Sequence, residues 1–567
     1  MPKSITRSLG PSDANETTKG PTDVGGVRAI LRRWYVASRT LIERDSTPKL
    51  LRDPVLYGIA LATLVLCAQF WLYVHWLGDE GIFLHAAVRI LGGEVLYRDF
   101  FELLPPGSFL AVAAWMKLFG AGFGAMRALA ICVIVVIAVL LYAAARLASG
   151  NRPLAAMLAV AWVVLSQGVW TVISHHWFTT AASMATAIAL LLALDHAPRR
   201  GATLVAGLAA GTAAMVTSTR GALLCVAVLG ILVTLPRGGA RLVSAIIGMA
   251  LVPAAMICYL AASGTLVAAF NDVILWPAHH YASSQALSFG SGAGLLDAPS
   301  VALYPATFAL AGATLALGRM AAWSDPRFRV SLVLALVGLV GTYPRADIFH
   351  INFTVPLACP LFALVATDLL GRLRHPARIA LGALSIGLCL AVIGSAIYLR
   401  RGFVVGPLRG VETPRGLVMR VDNSWTNDFA VLMKQITLIP PGDAFFFYPY
   451  SPMLPYLTGR RHAAPLDVFA PGYTDAAQFR ATCVQVVREA QWLVVDLLWI
   501  NPLFTRGVWP ALRDPNPLEK RSFEVAIATA FNKVVHTSET FQLRQRAGGA
   551  SLELCDKVGA TPILILR

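Results

Sequence analysis

The chain has 567 residues, of which 57% are hydrophobic and only 14% charged, with a mean hydropathy of +0.64. That composition is too apolar for an ordinary water-soluble protein and leaves a polytopic membrane protein. The net charge of +16 would suit a polyanion-binding surface, but the placement of the basic residues argues against nucleic acid as a partner.

In chain order, residues 1–27 are rich in Ser, Thr, Gly and Pro and lack an apolar run after a short basic start. They read as a disordered segment without a cleavable signal peptide. Seven Lys or Arg residues then crowd the stretch from Arg28 to Arg52. Beyond them, runs able to cross a hydrocarbon layer of about 30 Å fall at about 55–77, 124–147, 153–172, 177–196, 203–218, 221–236, 241–262, 300–318, 328–343, 351–370 and 376–399. The two around Arg220 are short and also admit a broken or re-entrant pair. Basic residues recur only at alternate turns: Arg146 and Arg152; Arg199 and Arg200; Arg237 and Arg241; Arg319, Arg327 and Arg329; then Arg372, Arg374 and Arg378. The positive-inside rule therefore sets the N-terminus in the cytoplasm, and about eleven crossings of the inner (plasma) membrane leave residues 400–567 outside.

The connection 78–127 is too long and too patterned for a simple link. Asp79 and Glu80 stand where the first span should leave the bilayer, followed by Arg98, Asp99 and Glu102 before a Pro-Pro-Gly. Ionisable groups near membrane depth are costly and are candidates for function. Helical spacing of the apolar residues predicts two interfacial helices here, one over about 80–92 and one from Pro105 to Phe119, ending at Gly120.

From Arg400 the composition becomes that of a soluble protein. Strands at 443–448 and 492–496, helices at 475–490 and 517–532, and strand-like pieces at 539–546, 551–556 and 562–566 predict a small C-terminal α/β domain. The expected organisation is a cytoplasmic segment 1–54, an α-helical transmembrane domain 55–399 and an extracytoplasmic domain 400–567. Of eight cysteines, Cys483 and Cys555 lie in the tail, where a disulfide and two free buried thiols are equally open. No internal repeat, Gly-rich phosphate loop, CxxC pair or HExxH helix appears, which sets aside nucleotide-driven pumping and zinc peptidase chemistry.

With this topology one membrane face collects Asp79, Glu80, Arg98, Asp99 and Glu102 from the first loop and His175 and His176 from the second. Arg220 joins from the break in its span, Asp272, His279 and His280 from the long loop 263–300, and Arg345, Asp347 and His350 from a late turn. Carboxylates can take a proton from an attacking hydroxyl, and guanidinium groups stabilise a leaving phosphate. Such a set suits an enzyme acting on a lipid-linked anionic substrate.

In its order of motifs the chain resembles the GT-C superfamily of integral-membrane glycosyltransferases, especially the branch with the protein O-mannosyltransferases and the lipid A aminoarabinose transferase. The resemblance covers roughly residues 50–400. It rests on Gly78-Asp79-Glu80 closing the first span, Tyr97-Arg98-Asp99, Glu102 before Pro105-Pro106, Leu118 to Gly120, Arg127, and the stretch leading to Arg220. It implies transfer of a sugar from a polyprenyl-phosphate carrier to an acceptor outside the membrane, with inversion. The acceptor would be a glycan, lipid or protein of the cell envelope. Asp79 would be the general base with Glu80 beside it, and Arg220 and Arg345 would bind the donor phosphate. Arg98, Asp99, Glu102, Asp347 and His350 would contact substrate; Glu102 would also suit a divalent metal ion, the one cofactor this resemblance allows. The chain departs from the family where the second loop reads Ser174-His175-His176-Trp177 rather than carrying Arg and Asp, and where acid-Lys-Pro-Pro becomes Glu102-Leu103-Leu104-Pro105-Pro106.

Plainer roles compete at each position. Asp79 and Glu80 would also suit the positive N-terminal end of a helix, and Arg98 would pair with Asp99. Adjacent histidines usually point to different faces, so His175 and His176 read as anchors as readily as ligands. Spacing of three puts Asp347 and His350 on one helical face, and the loop with His279 and His280 would fold over the site as a lid. A transporter or flippase of lipid-linked glycans is the competing class, for which inverted repeats and mid-membrane polar residues are expected.

Overall fold

The computed structural model of the protein describes residues 50–559, apart from 76, 168–169, 195–199, 236–237, 317–319, 374, 471–473 and 549–550. The expectations for 1–49 and 562–566, and for Arg199, Arg237, Arg319 and Arg374, lie outside the described residues. The described residues all fall in one compact unit.

An apolar helix occupies each of the eleven expected intervals: Pro54–Ala68, Phe123–Ser149, Arg152–Ser166, His175–Leu192, Arg200–Ala214, Ser218–Val233, Gly238–Ala262, Ala298–Ala316, Pro326–Val340, the pair Ile348–Leu357 and Cys359–Arg372, and His375–Val405. Phe123–Ser149, Gly239–Ala262, Leu295–Ala316 and His375–Tyr398 are long and apolar enough to cross a membrane, and the pair, bent by 61°, makes a fifth. The chain is a multi-pass membrane protein. Local chemistry sets where these helices begin. Asp53, Asn151 and Asp325 each accept a hydrogen bond from a first-turn backbone N–H, with Pro at the helix start, and Ser174 caps His176. Buried Asp53 also pairs with Arg146 and, at 2.7 Å, with Arg152, so the first helix starts where the next long helix ends.

The first helix is shorter than expected. It stops at Ala68, and the chain beyond is strapped to the tail, with Val74 N–H donating to Met419 O at 2.9 Å and Met419 N–H to Leu72 O at 2.7 Å. Elsewhere small residues let helices touch. At Gly207 and Gly211, four residues apart, an added Cβ would strike the backbone of Ala245 and Met249 on Gly238–Ala262.

The first loop forms two helices, Asp79–Leu91 and Gly107–Phe119, joined by stacking of Phe83 on Phe109 with ring centroids 5.2 Å apart. The long loop contributes a helix, Trp276–Gln285, and strand β1 (Leu287–Ser291), which pairs in parallel with β2 (Arg345–Asp347).

The tail opens with a hairpin that sequence reading missed, β3 (Leu408–Thr413) with β4 (Gly416–Val421). Its sheet has the order β5-β6-β8-β7, formed by Phe445–Tyr448, Trp492–Asp496, Phe541–Gln545 and Lys533–Thr537, with β5 and β6 parallel. Alternation along β5 sends Phe446 and Tyr448 into a core with Phe469, Phe479 and Phe523, and Phe445 and Phe447 into another with Phe83 and Phe109. One face of the sheet thus packs on the tail's own helices, and the other on the first-loop helices together with the tail helix Ser424–Thr437. Gly81 lies so close to Pro452 and Met453 that any Cβ there would collide with their backbone. Residues 551–556, expected as strand-like, instead hold the turn Glu553–Asp556: Ser551 Oγ accepts from Glu553 N, and Cys555 forms a disulfide with Cys483 across 72 residues.

Candidate active site

Where the first-loop helices, the late turn and the tail meet, they enclose a cavity of about 590 Å³. Asp79, Glu102, Arg345, Asp347 and His350 line it, together with His175 and His176. Asp79 is the first residue of its helix and accepts a hydrogen bond from the Tyr450 hydroxyl of the tail. Burial pushes its carboxyl above the ordinary aspartate range, while Tyr450, Arg345 and His350 pull it back.

The late turn is built by a helix cap. Asp347, the last residue of β2, accepts from His350 N–H at 3.0 Å and from His350 Nδ1 at 2.8 Å. Asp347 and His350 therefore meet because Asp347 folds back over the helix start, not because they share a helical face. Burial alone would raise the Asp347 carboxyl, but His350 and Arg345 hold it below the usual value. Arg345 donates to Asp347 at 2.8 Å, to Gln285 at 3.0 Å and to Val508 O at 2.9 Å, which leaves N–H groups for a ligand.

The two adjacent histidines lie together, ring centroids 3.8 Å apart. His175 Nδ1 bonds Thr217 Oγ1 at 2.9 Å. Arg220 Nη2 donates to His176 Nδ1 at 3.2 Å, so His176 is neutral with its proton on Nε2. Arg220 itself is buried outside this cavity and lines a neighbouring one of about 720 Å³ that shares Leu287. Its Nε and Nη1 find no hydrogen-bond partner among the described residues. The first-cavity arginine is thus Arg345, and Arg220 adjoins that cavity through His176 and Leu287.

Glu80, next to Asp79, faces away from the cavity. It forms a buried two-point pair with Arg127 at 2.9 Å and accepts Ile173 N–H at 3.0 Å. Arg98 and Asp99 pair at 2.8 Å on the surface and do not line the cavity; Asp99 also accepts Val95 N–H, closing the turn that precedes Glu102. Asp272, His279 and His280 stay outside the cavity wall, where the same loop supplies Tyr281 and Gln285 instead.

The tail's share of the wall is Tyr450, Asp467, Trp499 and Trp509, the last three of which sequence reading did not single out. His85 Nδ1 contacts both Asp467 oxygens at 2.9 Å. Despite burial, His85 and His462 hold that carboxyl down to about 2. Burial, and then the nearby Asp467 charge, push the Glu102 carboxyl well above the ordinary glutamate range. Tyr450 and Trp499 come just after β5 and β6, the parallel pair. Ligands gather at the carboxyl ends of parallel strands, and that rule was the available signal. Among the described residues no three His, Cys, Asp or Glu side chains converge to hold a metal ion. Asp347 and Asp467 are already engaged by Arg345, His350 and His85, so the residues do not fit a divalent ion and no step below runs through one.

ArnT from Cupriavidus metallidurans in the apo state superposes with a TM-score of 0.51 at 13% identity, over 88% of this chain and 98% of that one. The chain has the GT-C fold. ArnT from Cupriavidus metallidurans bound to undecaprenyl phosphate gives a TM-score of 0.49 at 12% identity over the same shares. The arabinofuranosyltransferase AftD from Mycobacteria gives 0.48 at 17% identity, over 88% of this chain and 40% of AftD. No family model and no curated protein sequence matches the chain.

Proposed function

We propose that this protein is a membrane glycosyltransferase that moves a sugar from a polyprenyl-phosphate carrier to an extracytoplasmic acceptor, with inversion and with Asp79 as general base. One observation carries the proposal: a partly buried carboxylate, Asp79, and a guanidinium with N–H groups to spare, Arg345, line a single cavity. ArnT, whose apo structure shares the fold, has also been solved with undecaprenyl phosphate bound.

In the proposed step the acceptor hydroxyl gives its proton to Asp79 as its oxygen attacks the anomeric carbon. The bond from that carbon to the phosphate oxygen breaks on the opposite face, and the configuration inverts. Arg345, and Arg220 from the adjoining cavity, take up the charge gathering on the leaving phosphate. His350, held through Nδ1 by Asp347, leaves Nε2 as an acceptor for a sugar hydroxyl, and the Glu102 carboxyl offers a further hydrogen-bonding group. Glu80 serves as a positioning residue: its pair with Arg127 fixes the helix start that presents Asp79. Arg98 and Asp99 shape the turn that presents Glu102.

Eleven crossings of the inner membrane, with the tail outside, accompany this reading. The Cys483–Cys555 disulfide supports an oxidising compartment for the tail. The test is sugar transfer from polyprenyl-phosphate-linked donors by membranes holding equal amounts of parent and Asp79→Asn protein. Transfer by the parent and its loss in the variant is expected; full transfer by Asp79→Asn would remove Asp79 as base.

A further inference from the structure

Beside Asp79 the tail presents a small aromatic cluster separate from its main core. Tyr450, Trp499 and Trp509 group there with Leu512 and Ala470. Trp499 lies 4.9 Å from Tyr450 and 5.4 Å from Trp509, centroid to centroid, and all three rings line the cavity. Several contacts fix them in place. Asp496 caps the turn carrying Trp499 by accepting Leu498 N–H at 3.1 Å, and it also accepts Ser451 Oγ, next to Tyr450, at 2.9 Å. Val508, next to Trp509, is held by Arg345 at 2.9 Å. The cluster therefore touches the base through Tyr450 and the phosphate-binding arginine through Val508. Large, rigid aromatic faces beside carboxyl groups suit one ligand chemistry, a ring with an apolar C–H face and hydroxyls around its edge. Asp79 supplies an acceptor for those hydroxyls in the same cavity, and the Glu102 carboxyl a further hydrogen-bonding group.

We infer that Tyr450, Trp499 and Trp509 form a sugar-ring subsite contributed by the tail, where a pyranose or furanose ring rests its apolar face on the tryptophans while its hydroxyls meet the cavity carboxyls. This rests on the sugar-transfer proposal and adds the part of the chain that recognises the sugar. The ring belongs to the donor or to a glycan acceptor, two sources with one chemistry.

The test is equilibrium binding to the full chain in lipid nanodiscs of three probes: undecaprenyl phosphate, undecaprenyl-phosphate-linked pentose or hexose, and soluble arabinan or mannan oligosaccharides. Parent protein is compared with Trp499→Leu, Trp509→Leu and the conservative Trp499→Phe and Trp509→Phe. The Leu variants should weaken one sugar-bearing probe by about ten-fold or more, keep undecaprenyl phosphate affinity within about two-fold, and be largely rescued by Phe. Loss confined to the lipid-linked sugar assigns the ring to the donor; loss confined to the oligosaccharides assigns it to the acceptor. Unchanged binding of every probe in the Leu variants, or equal loss of undecaprenyl phosphate in the folded Phe variants, would overturn the subsite. A parent that binds undecaprenyl phosphate but no sugar-bearing probe more tightly overturns the subsite alone. A parent that binds none of the three overturns the transfer proposal with it.

Discussion

The hydroxyl of Tyr450 donates a hydrogen bond to the carboxylate of Asp79, joining residues 371 positions apart. That bond stabilises the charged carboxylate and so opposes burial, which raises its pKa. If Asp79 is the base, transfer is lost as pH falls and Asp79 takes up a proton, with an acid limb above the ordinary aspartate value of 3.8. Tyr450→Phe removes the donor, so its limb should move to higher pH. The check is kcat/KM against pH for parent and variant; coincident limbs would separate the hydroxyl from the base.

Asp79 and Glu80 are neighbours in sequence with opposite expected responses. Asp79→Asn should lower transfer by about 10²-fold to 10⁴-fold with little loss of stability, the usual scale for a general base. Glu80→Gln leaves Arg127 as a buried charge without its carboxylate, a change that typically costs about 3 to 5 kcal/mol. Thermal unfolding in detergent, read beside activity, distinguishes the two; a stable but inactive Glu80→Gln protein would shift the chemistry to that residue.

Among the described residues Arg220 keeps two guanidinium nitrogens without protein partners, while Arg345 is tied to three groups. Arg220→Gln should therefore weaken undecaprenyl phosphate by about ten-fold or more and change the melting temperature little. Arg345→Gln should lower both affinity and stability, because Asp347, Gln285 and Val508 lose their shared donor. Direct binding in nanodiscs measures this. An Arg220→Gln protein with parental affinity would leave that arginine a structural role only.

The His85–Asp467 contact ties the first-loop helix to the tail at 2.9 Å. Asp467 sits near a pKa of about 2 in the folded protein against 3.8 ordinarily. Its contribution, about 2 kcal/mol, is therefore complete above pH 4 and fades as pH falls toward 2. In His85→Ala the carboxylate loses the partner that holds it low, so less stability remains to be lost. Melting temperatures at pH 6 and pH 3 should differ more for the parent than for His85→Ala; equal differences would exclude this pair as the source of acid sensitivity.

Much of the membrane architecture was legible because it depends on local signals. Each apolar run became a helix, and capping residues such as Asp53, Asn151 and Ser174 stand at the starts. The two first-loop helices lie at Asp79–Leu91 and Gly107–Phe119, close to their expected bounds. Less was legible where two distant segments share one structure. The strap of Leu72 and Val74 on Met419 joins the first loop to the tail, and the turn at Glu553 is tied by a disulfide to Cys483. Neither bond leaves a mark in the local pattern.

By itself the sequence determined the membrane class and the intervals of the helices, and singled out Asp79, Arg345, Asp347 and His350, which line one cavity, since hydrophobic runs and short spacings act over a few residues. Only the tertiary structure decided which member of each set enters the cavity. Adjacent helical residues point about 100° apart, so Asp79 meets Tyr450 while Glu80 meets Arg127. The same long-range packing set Arg220 in a neighbouring cavity and brought Asp467, Trp499 and Trp509 of the tail to the wall. Those placements come from contacts between segments hundreds of residues apart, and a local pattern holds no record of them.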